Sequence, residues 1–247
     1  MRSFYLLISL LFAYNVIFSN NEEVKSPNFI FILADDQGWN GTSVRMNDTI
    51  PYSASDYYDT PNLEKLAKKG MKFSNAYGSA PVCAPSRYSI QFGQTPARLQ
   101  MIRVGMNTNH IDHNSSNTLV KQIKKTNNNY KAAHFGKWGI GSDPKTLGYD
   151  VSDGPTKNKD GYFDYDSREL QWGNTISKDP KKIFSITEKA INFIEENAKK
   201  KTPFYLQLSH YAIHSNLMMR KNTYDKYSKK EKGKIHYNIG LAAMTED

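Results

Sequence analysis

Three short apolar runs along the chain predict β-strands. The first, Phe29–Leu33, is continuously apolar, and weaker runs of similar length occupy Lys131–Phe135 and Phe204–Leu208. A short continuous apolar run is typical of a strand whose two faces are both covered by other parts of the protein. We therefore expect Phe29–Leu33 to be buried on both faces of a sheet.

Helical patterns with recognisable ends lie between these runs. Thr60-Pro61 provides an N-cap followed by proline at the first helical position, and Gly70 is placed to end that helix. A second helix is predicted to begin at Asp179-Pro180. Its apolar residues recur at three- and four-residue spacing and form one stripe that can pack on a sheet: Ile183, Ile186, Ala190, Phe193 and Ile194. This alternation predicts an α/β fold with a largely parallel central sheet flanked by helices.

Polar residues follow each predicted strand. Asp35 and Asp36 come directly after the first, Lys137 after the second, and His210 and His214 shortly after the third. Ligands of parallel sheets gather beyond the carboxyl ends of the strands, so these side chains are expected at one rim. Adjacent carboxylates suit a hard divalent cation. The alternative for the acidic pair is an ordinary turn or helix cap.

The N-terminal segment predicts export. Residues 1–20 contain a basic residue near the start, an apolar stretch from Phe4 to Phe18 and polar residues behind it, which is the layout of a signal peptide. The apolar stretch is shorter than the ~20 residues that span a bilayer. We therefore expect a periplasmic or secreted protein without a stable membrane anchor, in which residues 21–247 form one domain.

Charge and cysteine content narrow the classes of function. The formal net charge is +9, and it sits largely in short lysine clusters without the interleaved aromatic residues typical of nucleic-acid binding. No nucleic-acid partner is expected, and the charge is compatible with a polyanionic substrate. Cys83 is the only cysteine, so an internal disulfide is excluded. Cys83 is therefore either a buried structural residue or a chemical one.

The residues around Cys83 resemble a family signature. Cys83-Ala84-Pro85-Ser86-Arg87, with Gly93 behind it, is similar to the Cys-x-Pro-Ser-Arg core of formylglycine-dependent (type I, arylsulfatase-like) sulfatases, which belong to the alkaline-phosphatase-like superfamily. Other segments resemble the same family over nearly the whole mature chain: Pro27–Gly38, Thr60–Gly78, Gly136–Gly141 and Tyr211–His214.

The resemblance implies chemistry at a modified cysteine. A formylglycine-generating maturation enzyme would oxidise Cys83 to an aldehyde, whose hydrate offers one hydroxyl to attack sulfur and a second to expel sulfate. Asp35 and Asp36, with the modified residue 83, would hold a divalent metal, most often Ca²⁺. The implied reaction is hydrolysis of a sulfuric ester, with a sulfated carbohydrate or another sulfate ester as the substrate.

Three further residues receive roles from the same resemblance. Arg87 would hold the formylglycine hydroxyls, Lys137 would contact the sulfate oxygens, and His214 would bind sulfate or protonate the leaving alkoxide. Each residue taken singly has an ordinary structural explanation. Their joint occurrence in the family's order is the reason for the assignment.

The sequence departs from the family in two respects. Gly139 stands where the family has a histidine that accepts a proton, so His134, His210, a residue outside this chain or water would have to serve. Family members also run longer and supply an Asp-Asn pair and a lysine after the helix that corresponds to residues 236–247. We therefore expect a fragment, truncated at the C-terminal side, that lacks metal ligands and exposes an apolar sheet edge.

Two other functions stay open. A phosphatase or phosphodiesterase of the same superfamily would share the acidic pair and the sheet, although such enzymes usually carry threonine or serine where Cys83 stands. An inactive fragment that binds sulfated glycans is the second alternative, and Gly139 favours it.

Overall fold

Helices separate β1, β2 and β5, the three strands that the apolar pattern predicts. The computed structural model describes residues 26–162 and 173–247. In these residues the strands are β1 (Phe29–Leu33), β2 (Lys131–Gly136), β3 (Val151–Ser152), β4 (Asn174–Ile176), β5 (Phe204–Ser209) and β6 (Leu217–Met219). The α-helices are α1 (Pro61–Lys69), α2 (Cys83–Phe92), α3 (Leu119–Thr126), α4 (Ile183–Lys199), α5 (Lys221–Lys229) and α6 (Ile239–Glu246).

The main sheet is parallel throughout, with the spatial order β1-β5-β2-β3. β5 lies between β1 and β2, and its register runs from Phe29 opposite Tyr205 to Leu33 opposite Ser209. β4 and β6 form a separate two-stranded parallel sheet. Because β1, β2 and β5 point the same way, the loops that follow them leave the sheet at the same edge. The predicted α/β class with a largely parallel sheet is confirmed.

Helices cover both faces of the interior strands. On one face, α4 packs on β2 and β5 through a core of Ala133, Phe135, Ile186, Ala190, Phe193, Phe204, Leu206 and Leu208. On the other face, α2 and α3 pack over a core that includes Tyr88, Phe92, Val120, Ala132, Trp138, Tyr149 and Tyr205. Successive side chains of β5 alternate between these two cores, so every residue of β5 is buried.

The prediction that Phe29–Leu33 is buried on both faces is wrong for this chain. Phe29, Ile30, Phe31 and Ile32 are 44, 50, 37 and 60% exposed. The reason is position, because β1 is an edge strand whose partner in the sheet is β5. Among the described residues, β1 therefore presents an exposed apolar edge.

The predicted helix ends agree with the structure, with one local difference. α1 begins at Pro61 and ends at Lys69, directly before Gly70, and α2 ends directly before Gly93, whose φ is +62°. At the second predicted helix, Pro180–Lys182 form a short 3-10 turn in which Lys181 and Lys182 adopt left-handed φ values of +50° and +56°. The regular helix α4 then begins at Ile183.

The proposed signal peptide at residues 1–20 lies outside the described residues. Within residues 26–162 and 173–247, none of the helices combines the length and the apolar character that a bilayer crossing requires.

Candidate active site

Backbone hydrogen bonds join the loops that follow β1, β2 and β5. The amide of Asp35 donates to the carbonyl of Ala212 (2.8 Å), and the amide of Ile213 donates to the carbonyl of Asp35 (2.7 Å). The amide of Lys137 donates to the carbonyl of Ser209 (2.8 Å). These bonds extend the sheet beyond its strands and fix Asp35 close to both other loops. The predicted convergence at one rim is confirmed.

Asp35 is a buried carboxylate held by two cations. Its side chain is 5% exposed, its Oδ1 accepts from Nη2 of Arg87 at 3.1 Å, and its Oδ2 accepts from the ammonium of Lys137. Arg87 also donates from Nη1 to the carbonyl of Lys137. Burial alone would raise the pKa of Asp35, but the charges of Lys137 and Arg87 outweigh burial and hold that pKa below its ordinary value. Asp35 is therefore ionised at neutral pH.

Helix α2 delivers Cys83 and Arg87 to the same place. The helix begins at Cys83, and Arg87 lies four residues later on the same face. Cys83, Asp35, Asp36 and Arg87 line one cleft with a volume of about 770 Å³. The half-buried Cys83 sits at the N-terminus of a ten-residue helix, where the helix dipole favours negative charge. The cleft therefore suits an anionic group near residue 83.

Lys137 and His214 do not line the cleft themselves. Each lies next to one of the two carboxylates that do. Lys137 is 2% exposed and contacts Asp35. His214 approaches the second carboxylate, with 3.7 Å between its Nε2 and Oδ2 of Asp36. All six residues predicted as site residues thus lie in one connected region.

The acidic pair provides part of a metal site. Ligand atoms of Asp35, Asp36 and His214 lie within 4.8 Å of one another, and Cys83 is outside that group. Asp36 adopts a left-handed φ of +63°, and its side chain is 55% exposed. Two carboxylates fit a divalent cation, but Ca²⁺ prefers six to eight oxygen ligands. The described residues therefore fit a metal only with additional oxygens from water, substrate or other polypeptide.

Gly139 is packed against Arg87. Its φ is +72°, and a Cβ at this position would lie 2.8 Å from Cδ of Arg87. Any side chain here would have to displace the arginine that binds Asp35, and would also strain the backbone. In this chain the stem of Arg87 therefore lies where a side chain at position 139 would begin.

The two histidines considered as replacement proton acceptors have little access to solvent or none. His134 is 0% exposed, its Nε2 lies 3.2 Å from Oγ of Ser209, and its ring packs against Trp138. Burial, together with the positive charge of Arg87, lowers the pKa of His134 to about 3. Burial also lowers the pKa of His210 to about 4. His134 is therefore a neutral core residue.

Sequence reasoning missed Lys181. This residue is 1% exposed, and its ammonium donates to the carbonyl of Ser215 at 3.2 Å, next to His214. Burial and the charge of Lys137 lower the pKa of Lys181 to about 8, against the opposing effect of Asp35. The apolar period of the helix gives no signal for it, because a lysine at a helix start is ordinarily solvated.

Comparisons with known proteins agree with this geometry. Residues 27–238 match the family model described as Sulfatase. The chain is 29% identical over 200 residues to the ulvan-active sulfatase of Formosa agariphila, covering 76% of this chain and 35% of that protein. It is 31% identical over 201 residues to the N-acetylglucosamine-6-O-sulfatase of Bacteroides thetaiotaomicron, covering 80% of this chain and 32% of that protein.

Solved structures show the same fold. The crystal structure of Ps i-CgsB matches with a TM-score of 0.64 and 23% identity, covering 90% of this chain and 52% of that one. The structure of BT4656 with its substrate D-glucosamine-2-N,6-O-disulfate matches with a TM-score of 0.60 and 22% identity, covering 85% and 40%. The chain spans about a third of the length of the two bacterial relatives. From the family match over most of its length, the chain belongs to the sulfatase family.

Proposed function

We propose that the protein hydrolyses sulfuric esters of a carbohydrate, using formylglycine made from Cys83. The observation that carries this proposal is the position of the Cys83–Arg87 motif, which opens α2 and lines the same cleft as Asp35 and Asp36. The names of two relatives, an ulvan-active sulfatase and an N-acetylglucosamine-6-O-sulfatase, support a sulfated carbohydrate as the substrate.

Formylglycine and a divalent metal would supply the nucleophilic oxygen and the charge that lowers its pKa. Asp35 and Asp36 would hold the metal, for which we propose Ca²⁺, with the modified residue 83 as a further ligand. Arg87 fixes Asp35 through the 3.1 Å bond from its Nη2, and its fork offers further N–H groups toward residue 83. This arrangement would hold the reacting side chain close to the acidic pair.

Lys137 and His214 would act on the sulfate group and the leaving alkoxide. The ammonium of Lys137 is 2% exposed, so little water screens its charge, and it would stabilise negative charge that grows on sulfate oxygens. His214 directs Nε2 toward Asp36, while its Nδ1 is engaged at 2.7 Å by the carbonyl of Ser215. Nε2 is thus the ring atom that faces the acidic pair, and it would exchange a proton with the leaving oxygen.

The proposal includes maturation and export. A formylglycine-generating enzyme would modify Cys83, and residues 1–20 would act as a signal peptide that takes residues 21–247 out of the cytoplasm. The acidic pair needs further oxygen ligands, so the metal-loaded site requires water, substrate or additional polypeptide.

Mass spectrometry of the peptide that contains Cys83 tests the proposal. After co-expression with a formylglycine-generating enzyme, we expect the aldehyde at position 83 in the wild-type chain and unchanged residues in Cys83→Ala. Arg87→Lys, which alters the motif and preserves charge, should reduce conversion. An unmodified Cys83 in the wild type would contradict the proposal.

Activity measurements on the matured protein distinguish the alternatives. Hydrolysis of sulfate esters in excess of phosphate esters supports the sulfatase. Faster turnover of phosphate esters would favour a phosphatase or phosphodiesterase. Binding of sulfated glycan without turnover, with formylglycine present, would favour a non-catalytic protein, in agreement with the glycine at position 139.

A further inference from the structure

We propose that Lys181 is a positioning residue, which holds the carbonyl of Ser215 and through it fixes the ring of His214. The proposal deepens the function above, because it rests on the role given there to His214. Lys181 belongs to the turn before α4, whereas Ser215 and His214 belong to the loop after β5. The contact therefore links the turn before α4 to the loop that carries His214, the proposed proton donor.

Two side chains meet at one carbonyl oxygen. The ammonium of Lys181 lies 3.2 Å from the oxygen of Ser215, and Nδ1 of His214 lies 2.7 Å from the same oxygen. A carbonyl oxygen has two lone pairs, so it can accept both bonds at once. Because a carbonyl can only accept, Nδ1 of His214 must carry a proton in this contact.

This arrangement decides which ring nitrogen faces the reaction. With Nδ1 engaged by the Ser215 carbonyl, Nε2 is the ring nitrogen that points toward Asp36, 3.7 Å from its Oδ2. If the Ser215 carbonyl turned away, His214 would lose the bond that keeps a proton on Nδ1 and helps to orient the ring. Lys181 opposes that turn because its stem is locked in the interior at 1% exposure.

The cost of placing Lys181 here indicates that its position is specific. Both Lys181 and its neighbour Lys182 adopt left-handed backbone conformations, with φ of +50° and +56°, which non-glycine residues rarely adopt. Burying an ammonium also carries a desolvation penalty, which its partners must offset. A lysine that only began an amphipathic helix would lie in water. The turn instead directs this one inward to Ser215.

The test reads the tautomer of His214 by ¹⁵N NMR of the imidazole nitrogens in the full chain, with His214→Gln identifying its signals. In the wild type we expect the Nδ1–H form. In Lys181→Met, which keeps the apolar stem and loses the donors, the signals should move toward a mixture of both tautomers. Lys181→Gln keeps a neutral donor and should fall between them. Lys182→Met is the control in the same turn and should leave His214 unchanged.

An unchanged His214 tautomer in both Lys181 variants would overturn the proposal, as would an equal change in Lys182→Met. If Lys181→Met fails to fold, the comparison of Lys181→Gln with Lys182→Met decides in the same way. In the matured protein, loss of positioning should lower kcat by ~10- to 100-fold with KM nearly unchanged. A wild type without sulfatase activity would contradict the proposed function and leave the NMR result standing, so the two failures are separate.

Discussion

β5 and β1 are neighbouring apolar strands with opposite surroundings. All six residues of β5 are buried, because α4 covers one face and α2 and α3 cover the other. In β1, Ile30 and Ile32 are 50 and 60% exposed, although they stand opposite Leu206 and Leu208 of β5, which are 0 and 5% exposed. Two strands of similar composition, paired in register, therefore differ in what lies over them.

Among the described residues, β1 is stabilised by its pairing with β5 and by the contacts at its carboxyl end. Its hydrogen bonds in the sheet go to β5, and its carboxyl end leads to Asp35, which Lys137 and Arg87 bind in the interior. An edge strand of this kind depends on the charged cluster more than an interior strand does. Four experiments test this difference, from the largest expected effect to the smallest.

Asp35→Asn should destabilise the chain most. The change leaves the buried ammonium of Lys137 and guanidinium of Arg87 without their counter-charge, which costs ~3–5 kcal/mol of unfolding free energy. Asp36→Asn is the matched control, because this side chain is 55% exposed and its loss should change stability by no more than ~0.5 kcal/mol. Urea unfolding in the presence of a chelator measures both, and equal effects would contradict the anchoring role of Asp35.

Leu206→Ala and Ile30→Ala compare the two strands at one register position. Leu206 is 0% exposed, so its truncation should cost ~2–5 kcal/mol through lost burial and a cavity. Ile30 stands opposite on the same face at 50% exposure, and its truncation should cost about 1 kcal/mol or less. Denaturant midpoints give both values. Similar losses would mean that β1 is covered in solution.

Acid should weaken the interior strands through His134, whose side chain lies on β2. The folded pKa of about 3 lies below the ordinary 6.5, so the unfolded chain binds a proton that the folded chain rejects. This contribution is fully present above pH 6.5 and is lost as pH falls toward 3, amounting to about 2 kcal/mol between pH 7 and pH 5. His134→Gln should show a shallower fall in unfolding free energy over this range, measured by urea titration at each pH. An identical slope would refute the buried neutral state.

Ile32→Lys should have the smallest effect on folding and a visible effect on association. A lysine at this 60% exposed edge position should change the unfolding free energy by no more than ~0.5 kcal/mol. It should also reduce self-association, since a charged edge strand pairs poorly with another chain. Sedimentation velocity over a range of concentrations measures this change. Severe destabilisation would show that the face of β1 is buried.

Local patterns predicted much of the fold. The bounds of β1, the start of α1 at Pro61 and its end before Gly70 follow from short-range signals, namely apolar runs, a proline at the first helical position and a terminal glycine. The convergence of Asp35, Lys137 and His214 also followed from sequence, because parallel strands direct their carboxyl ends to one edge.

The missed features depend on distant residues. Lys181 meets Ser215 across 34 positions, and no helical period reveals that its turn points inward. Gly139 stood out only as a departure from a family pattern, and the structure supplies the reason, which is the stem of Arg87 packed against it. Both features arise from how separate loops pack.

For this protein the sequence alone determined β1, β2 and β5, both ends of α1 and the residues at the rim, since each depends on neighbours within a few positions. Only the tertiary structure decided that β1 lies at an exposed edge, that the ionised Asp35 forms ion pairs with two cations, and that Lys181 turns inward. Burial and charge pairing are set by whichever segments come to lie nearby, and the bond from Lys137 to Asp35 joins residues 102 positions apart.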